Sequence, residues 1–119
     1  MIEVPFVSFR PLEDKLGNRL NEVFERVLER SWYVEGEEGL AFEEAFARYC
    51  GSGYCVGCGN GLDSLVLSLQ ALGIGAGDEV IVPSNTFIAT ALAVVKAGAT
   101  VVFAEPDIDT FNLDPDRVG

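Results

Sequence analysis

Apolar residues recur at Leu12, Leu16, Leu20, Val23, Phe24, Val27 and Leu28. This three-and-four spacing lines one face of a helix, so an amphipathic helix is predicted over 11–30. The run Ser31 to Gly39, SWYVEGEEG, breaks that period with two glycines and reads as a loop carrying Trp32 and Tyr33. Leu40, Phe42, Ala45, Phe46 and Tyr49 resume a shorter helix that stops at Gly51. The pattern then changes character. Residues 54–58, YCVGC, are a short β-prone run that passes through Gly59, Asn60 and Gly61 into Leu62, Leu65, Val66, Leu69 and Leu72 at helical spacing. After a turn at 75–78, Glu79-Val80-Ile81-Val82-Pro83 reads as a strand, apolar at three consecutive positions as expected of burial on both faces. Asn85 or Thr86 caps a helix running to Lys96, Gly98 ends it, and Thr100 to Ala104 is another continuous apolar strand.

Strand, helix, strand, helix, strand is the signature of a parallel sheet. The expected fold is therefore α/β: a βαβαβ parallel-sheet segment preceded by two helices, with a helical segment over 1–53 and the start of an α/β domain over 54–119. Asp114-Pro115-Asp116 has a capping residue, a first-turn proline and a first-turn acid, which announce a further helix. With three residues after it, the expectation is the front part of a longer protein.

Composition narrows the functions. A length of 119 residues sets one domain as the ceiling, and 49% hydrophobic residues place the chain in the globular range, with a core to bury. Eight Lys and Arg stand against 19 Asp and Glu, a net charge of −11. Phosphate backbones and anionic headgroups are held by clustered cations, so nucleic acid and membrane surfaces are poor partners. No run approaches the roughly 20 apolar residues that span a bilayer, and Met1 to Pro5 lacks the basic-then-apolar layout of a secretory signal, so the expected location is cytoplasmic. Three cysteines without an export signal read as free thiols.

The strongest constellation for chemistry is Gly57-Cys58-Gly59-Asn60-Gly61-Leu62-Asp63-Ser64, a glycine-rich turn between a strand and a helix. Glycines let backbone approach a ligand, and the free N–H groups and dipole of a helix start favour an anion such as phosphate. The plain alternative is a tight turn with no ligand. Gly59-x-Gly61-x-x-Ser64 nearly meets a dinucleotide fingerprint, but the acid wanted about 20 residues on is replaced by Pro83-Ser84-Asn85. No Lys follows the glycines, which excludes a P-loop. Cys50, Cys55 and Cys58 have the spacing of plant-type iron–sulfur proteins. A fourth Cys is missing, however, and on a strand Cys55 and Cys58 would point to opposite faces, so buried thiols are expected and no metal site. With no His, catalytic triads of the Ser-His type and His-ligated zinc are absent. Asn85-Thr86-Phe87 follows the carboxyl end of a strand, where open α/β sheets place ligands; Phe87 is either a core residue or a platform for a flat heterocycle. Glu35, Glu37 and Glu38, and Asp107 and Asp109, read as solvated turn residues before they read as acid–base pairs.

Taken together, SWYVEGEE, GCGNGLDSL, GDEVIVPSNTFIAT, AGATVVFAEPD and TFNLDP resemble the N-terminal part of the sugar aminotransferases of the DegT/DnrJ/EryC1/StrS family. The resemblance covers essentially the whole chain, and its specificity lies in five separated segments agreeing in order and spacing. WYVEGEE and NGLDSL are most similar to the enzymes that aminate nucleotide-linked 3-keto-6-deoxyhexoses. The resemblance implies a fold-type I aminotransferase that uses pyridoxal 5′-phosphate (PLP), works as a homodimer, and moves an amino group from a donor, glutamate, to a nucleotide-linked keto-sugar in deoxyamino-sugar biosynthesis. By position it implies that Gly61 presents the backbone amides of Leu62 and Asp63 to the cofactor phosphate, that Phe87 stacks on the pyridine ring, and that Tyr33 lies near the substrate. The family's Schiff-base lysine and the acid that pairs with the pyridine nitrogen fall beyond residue 119. Lys15 and Lys96 lie outside the matching motif, so this chain holds no catalytic residue and is expected to be inactive alone. The other classes to weigh are a sensor that binds PLP or a nucleotide-sugar without turnover, and a fragment of a dinucleotide-binding oxidoreductase.

Overall fold

Gly17 divides the first amphipathic run. In a computed structural model that describes residues 5–118, α1 spans Arg10–Leu16 and α2 spans Arg19–Arg30. Gly17 between them sits at φ 53°, a left-handed conformation that a β-carbon disfavours. The single helix expected over 11–30 is thus two, and among the described residues three helices rather than two precede the glycine-rich turn. The third, α3 (Glu37–Cys50), ends as expected at Gly51, whose N–H is accepted by the carbonyls of Ala47 and Arg48. It starts earlier than the apolar periodicity indicated, because Glu37 and Glu38 form an acidic first turn that suits the positive end of the helix dipole.

The chain divides into two compact units between Gly57 and Cys58. The second unit contains α4 (Gly61–Ala71), β1 (Glu79–Pro83), α5 (Ile88–Ala97) and β2 (Thr100–Ala104). The strands pair in parallel from Glu79 opposite Thr100 to Pro83 opposite Ala104. Such a pair needs a crossover, which α5 supplies while packing against α4 and both strands. Val82, Ala91, Ala93, Val94 and Ala104 form the core of this unit. A short 3-10 turn at Pro115–Arg117 begins where the capping signal placed a helix, with Asp114 Oδ1 accepting from the Asp116 N–H at 3.0 Å.

The expected strand over 54–58 does not form, and among the described residues the sheet has two strands. A strand exists only through its ladder, and here side chains take the backbone groups: Glu43 Oε1 accepts from the Gly57 N–H at 2.6 Å, and Ser52 Oγ donates to the Tyr54 carbonyl at 2.9 Å. The buried thiols expected at Cys50, Cys55 and Cys58 are also corrected. Cys50 and Cys58 are exposed and Cys55 is half-buried, because the strand and the layer that would cover them are not formed. Without a strand there, Cys55 and Cys58 are not held on opposite faces of a sheet. Among the described residues no group of three His, Cys, Asp or Glu is placed to hold a metal ion.

Burial on both faces of a strand needs a layer on each face, and Ile81 on β1 and Phe103 on β2 remain exposed. In the first unit Ala47 is the buried apolar residue, while Phe24, Phe42 and Phe46 are 63%, 60% and 45% exposed. Phe42 and Phe46 stack with ring centroids 5.5 Å apart on a face of α3 left largely open by the described residues. So much uncovered apolar surface drives association in water. The isolated 119-residue chain is therefore expected to self-associate, and a sharp monomer peak in size-exclusion chromatography together with a cooperative melt would contradict this.

Candidate functional site

The glycine-rich turn enters α4 through Asn60, which is extended at φ −169° and caps the helix. Asn60 Oδ1 accepts from the Asp63 N–H at 3.0 Å, and Asn60 Nδ2 donates to Asp63 Oδ2 at 2.9 Å. Side chain and backbone thereby close a reciprocal box over the first turn. An Asn three residues before an Asp at the head of an apolar periodic run is the sequence signal for this cap. The Ser64 N–H goes to the Asn60 carbonyl at 3.0 Å. Among the described residues the N–H groups of Gly61 and Leu62 have no protein acceptor. These two donors lie at the positive end of the α4 dipole, where an anion would find N–H groups to accept from. The Asp63 N–H is committed to Asn60, so an anion that takes it must displace the cap.

Gly61 is not required by the chain's own conformation. A β-carbon built there meets nothing within 4 Å, and its φ lies outside the left-handed region. Gly59 differs, since a β-carbon there would stand 2.9 Å from Asp63 Oδ2. What Gly61 leaves open is space beside the free N–H groups.

Phe87 occupies the N-cap position of α5, extended at φ −65° and ψ 144°, so the helix begins at Ile88 rather than at a cap on Asn85 or Thr86. Thr86 Oγ1 and Thr90 Oγ1 share a hydrogen bond of 2.9 Å across that first turn instead. The Phe87 ring is 78% exposed, so it is no part of the core of its unit. The loop that carries it follows the carboxyl end of β1, where the Ser84 N–H extends the ladder to the Ala104 carbonyl at 2.9 Å. Asn85 Nδ2 donates to the carbonyl of Phe111 at 3.4 Å, tying this loop to the one after β2. In the latter, Asp107 Oδ1 accepts from the N–H groups of Thr110 at 2.8 Å and Asp109 at 3.2 Å. Hydrogen bonding with Thr110 is the main reason that the Asp107 carboxyl titrates below its ordinary 3.8. Asp107 is thus a turn-forming residue.

The first unit carries Tyr33, 64% exposed in the loop between α2 and α3. It lines a hollow of about 140 Å³ with Arg30, Trp32, Glu35 and Glu37. Gly61, Leu62, Asp63 and Phe87 all lie in the second unit and Tyr33 in the first. Glu37 and Glu38, weighed as solvated turn residues, begin α3 and are ion-paired to arginines of α2. Lys15 is on α1 and Lys96 on α5, as the periodicity indicated.

A parallel strand pair joined by a crossover helix, with a second helix packed on that crossover, places the second unit in the α/β class. The pattern of the DegT/DnrJ/EryC1/StrS aminotransferase family matches residues 14–119, and the chain belongs to that family. It is 49% identical over 115 residues to a dTDP-3-amino-3,6-dideoxy-alpha-D-galactopyranose transaminase of Aneurinibacillus thermoaerophilus, covering 97% of this chain and 32% of the relative. It is 48% identical over 114 residues to the erythromycin biosynthesis sensory transduction protein EryC1 of Saccharopolyspora erythraea, covering 96% of this chain and 31% of that protein. The crystal structure of S. venezuelae DesV, in complex with a ketimine intermediate, superposes with a TM-score of 0.92 at 44% identity, over 99% of this chain and 32% of that one. Other similar solved structures are in PLP or PMP forms. The chain spans about a third of the length of these relatives. Among the described residues no helix is long and apolar enough to cross a membrane.

Proposed function

We propose that the chain is the N-terminal part of a PLP-dependent aminotransferase that passes an amino group from glutamate to a nucleotide-linked keto-sugar in deoxyamino-sugar biosynthesis. In this reading residues 1–53 are a helical segment and 54–119 begin the cofactor-binding domain of a cytoplasmic homodimer. The observation that carries it is the pair of unpartnered N–H groups at Gly61 and Leu62, in a chain whose family is one of aminotransferases. Two donors at a helix N-terminus, with open space beside Gly61, fit a phosphate monoester; the ring of Phe87, free of core packing, fits a flat heterocycle.

When bound, PLP supplies the electron sink that lets an amino group be taken from one substrate and given to another. The residues of this chain bind and orient. Gly61 and Leu62 would hold phosphate oxygens through their N–H groups, with Asp63 as a third donor were Asn60 to release it, and Phe87 would offer its ring face to the heterocycle. Tyr33 is read as a substrate residue on the resemblance alone. Lys15 on α1 and Lys96 on α5 are not read as the lysine that would carry the cofactor.

A second reading is favoured by the name of one relative, a sensory transduction protein: the same cradle would then bind PLP or a nucleotide-sugar without turnover. One experiment separates them. The full-length protein, purified with PLP, is expected to show the absorbance of bound cofactor and to form an amino sugar from glutamate and a dTDP-linked 3-keto-6-deoxyhexose, read by mass spectrometry. Bound cofactor with no transfer to that sugar or related keto-sugars supports the sensor, and no bound cofactor refutes the aminotransferase and a PLP sensor alike.

A further inference from the structure

The six residues between α2 and α3, Ser31 to Gly36, are held more firmly than a surface connection requires. Ser31 and Glu35 adopt φ 51° and 52°, left-handed values that side-chain-bearing residues keep only where the surroundings over-determine them. The Ser31 N–H and hydroxyl both donate to the Leu28 carbonyl, at 3.1 and 3.3 Å. Gly36 lies so close to the loop's own start that a β-carbon would stand 3.0 Å from the Trp32 carbonyl oxygen.

Charge closes the two ends. Arg26 donates through Nε and Nη2 to Glu38 Oε1 at 3.2 and 3.0 Å. Arg30, the last residue of α2, reaches Glu37 Oε2 at 2.8 Å and Glu38 Oε1 at 3.9 Å. The cations sit toward the C-terminus of α2 and the acids in the first turn of α3, so each charge also suits its own helix dipole. A single exposed ion pair contributes little, but a network in which one arginine donates twice fixes direction as well as distance. What these contacts present is apolar: Trp32, Tyr33 and Val34 are 52%, 64% and 75% exposed. The ion-pair network and the two left-handed residues together fix the backbone of the loop that carries these side chains.

We propose that Arg26, Arg30, Glu37 and Glu38 form a clasp that positions Tyr33 and Trp32 for the keto-sugar, making the four charged side chains positioning residues for the acceptor half of the reaction. The proposal rests on the reading of Tyr33 as a substrate residue. It is tested in the full-length protein with Arg30→Glu, which sets a fourth carboxylate against Glu35, Glu37 and Glu38, and with the milder Arg30→Met. Arg30→Glu is expected to raise KM for the keto-sugar at least fivefold and to speed hydrogen exchange at residues 31–36. The rate at which glutamate alone converts the bound cofactor, which needs no sugar, should stay within twofold. Arg30→Met should fall between, and Glu37→Arg added to Arg30→Glu should restore KM. Unchanged exchange, or a fall in both half-reactions together, would overturn the clasp. An unchanged sugar KM in Arg30→Glu also overturns it, and Tyr33→Ala shows where the failure lies: a raised KM there leaves Tyr33 at the substrate, whereas an unchanged KM removes Tyr33 from the site as well.

Discussion

Gly61→Val is expected to lower the affinity of the full-length protein for PLP tenfold or more while leaving its melting temperature within a few degrees. The two halves of this expectation come from one observation. A β-carbon at Gly61 meets no protein atom within 4 Å and the residue is not in the left-handed region, so the fold itself accepts a side chain. Valine is moreover a better helix former than glycine. The open space beside the Gly61 and Leu62 N–H groups is what a branched side chain fills. Excluding a phosphate from two charge-assisted hydrogen bonds costs well over the ~1.4 kcal/mol that corresponds to tenfold. Leu62→Ala keeps both N–H groups and should leave affinity within a few-fold, with some loss of stability because Leu62 is half-buried. Titration of PLP by absorbance with a thermal melt of each variant decides the matter. Equal effects of the two changes, or full affinity in Gly61→Val, would move the cradle elsewhere.

Phe87 variants are expected to divide by the face they present, not by volume. Phe87→Tyr and Phe87→Trp keep a π-surface and should retain most cofactor affinity. Phe87→Leu keeps apolar bulk but loses stacking of roughly 0.5–1.5 kcal/mol, about two- to twelve-fold in affinity. A core phenylalanine would show the reverse order, since larger or polar-tipped rings overpack a closed site. The 78% exposure of Phe87 removes that constraint within its own unit, so all three variants should melt near the parent. Unchanged affinity in Phe87→Leu, with a lowered melting temperature in Phe87→Tyr, would return Phe87 to a packing role and leave the site resting on the glycine turn.

The parts of the fold read correctly from the sequence are those whose cause is local. The runs Glu79 to Pro83 and Thr100 to Ala104 became β1 and β2 at those bounds, because continuous apolar, β-branched stretches between turn residues have few other choices. Gly51 and Gly98 end helices in the left-handed conformation that only glycine adopts at little cost. The glycine turn before α4 and the aromatic residue after β1 were legible for the same reason: a helix start and a strand end are written in neighbouring residues. Five such local segments, in order, sufficed to point to the family to which the chain belongs.

What the sequence left open depends on groups brought together from a distance. The run at 54–58 has β propensity, but a ladder needs a second strand, and Glu43, on a helix 14 residues earlier, took the Gly57 N–H instead. Apolar character marked Ile81, Phe103 and the aromatic face of α3 for burial, yet burial requires an opposing layer, and these faces have none among the described residues. That the Asp63 N–H is closed to an anion until Asn60 withdraws followed only once the cap's geometry was in hand. The ion pairs between α2 and α3 are the same kind of fact, since Arg26 and Glu38 meet across 12 positions only because two helices turn back on each other. Composition and periodicity determine which elements a chain forms; which backbone groups remain free, and which surfaces remain bare, is decided by what the tertiary structure sets opposite them.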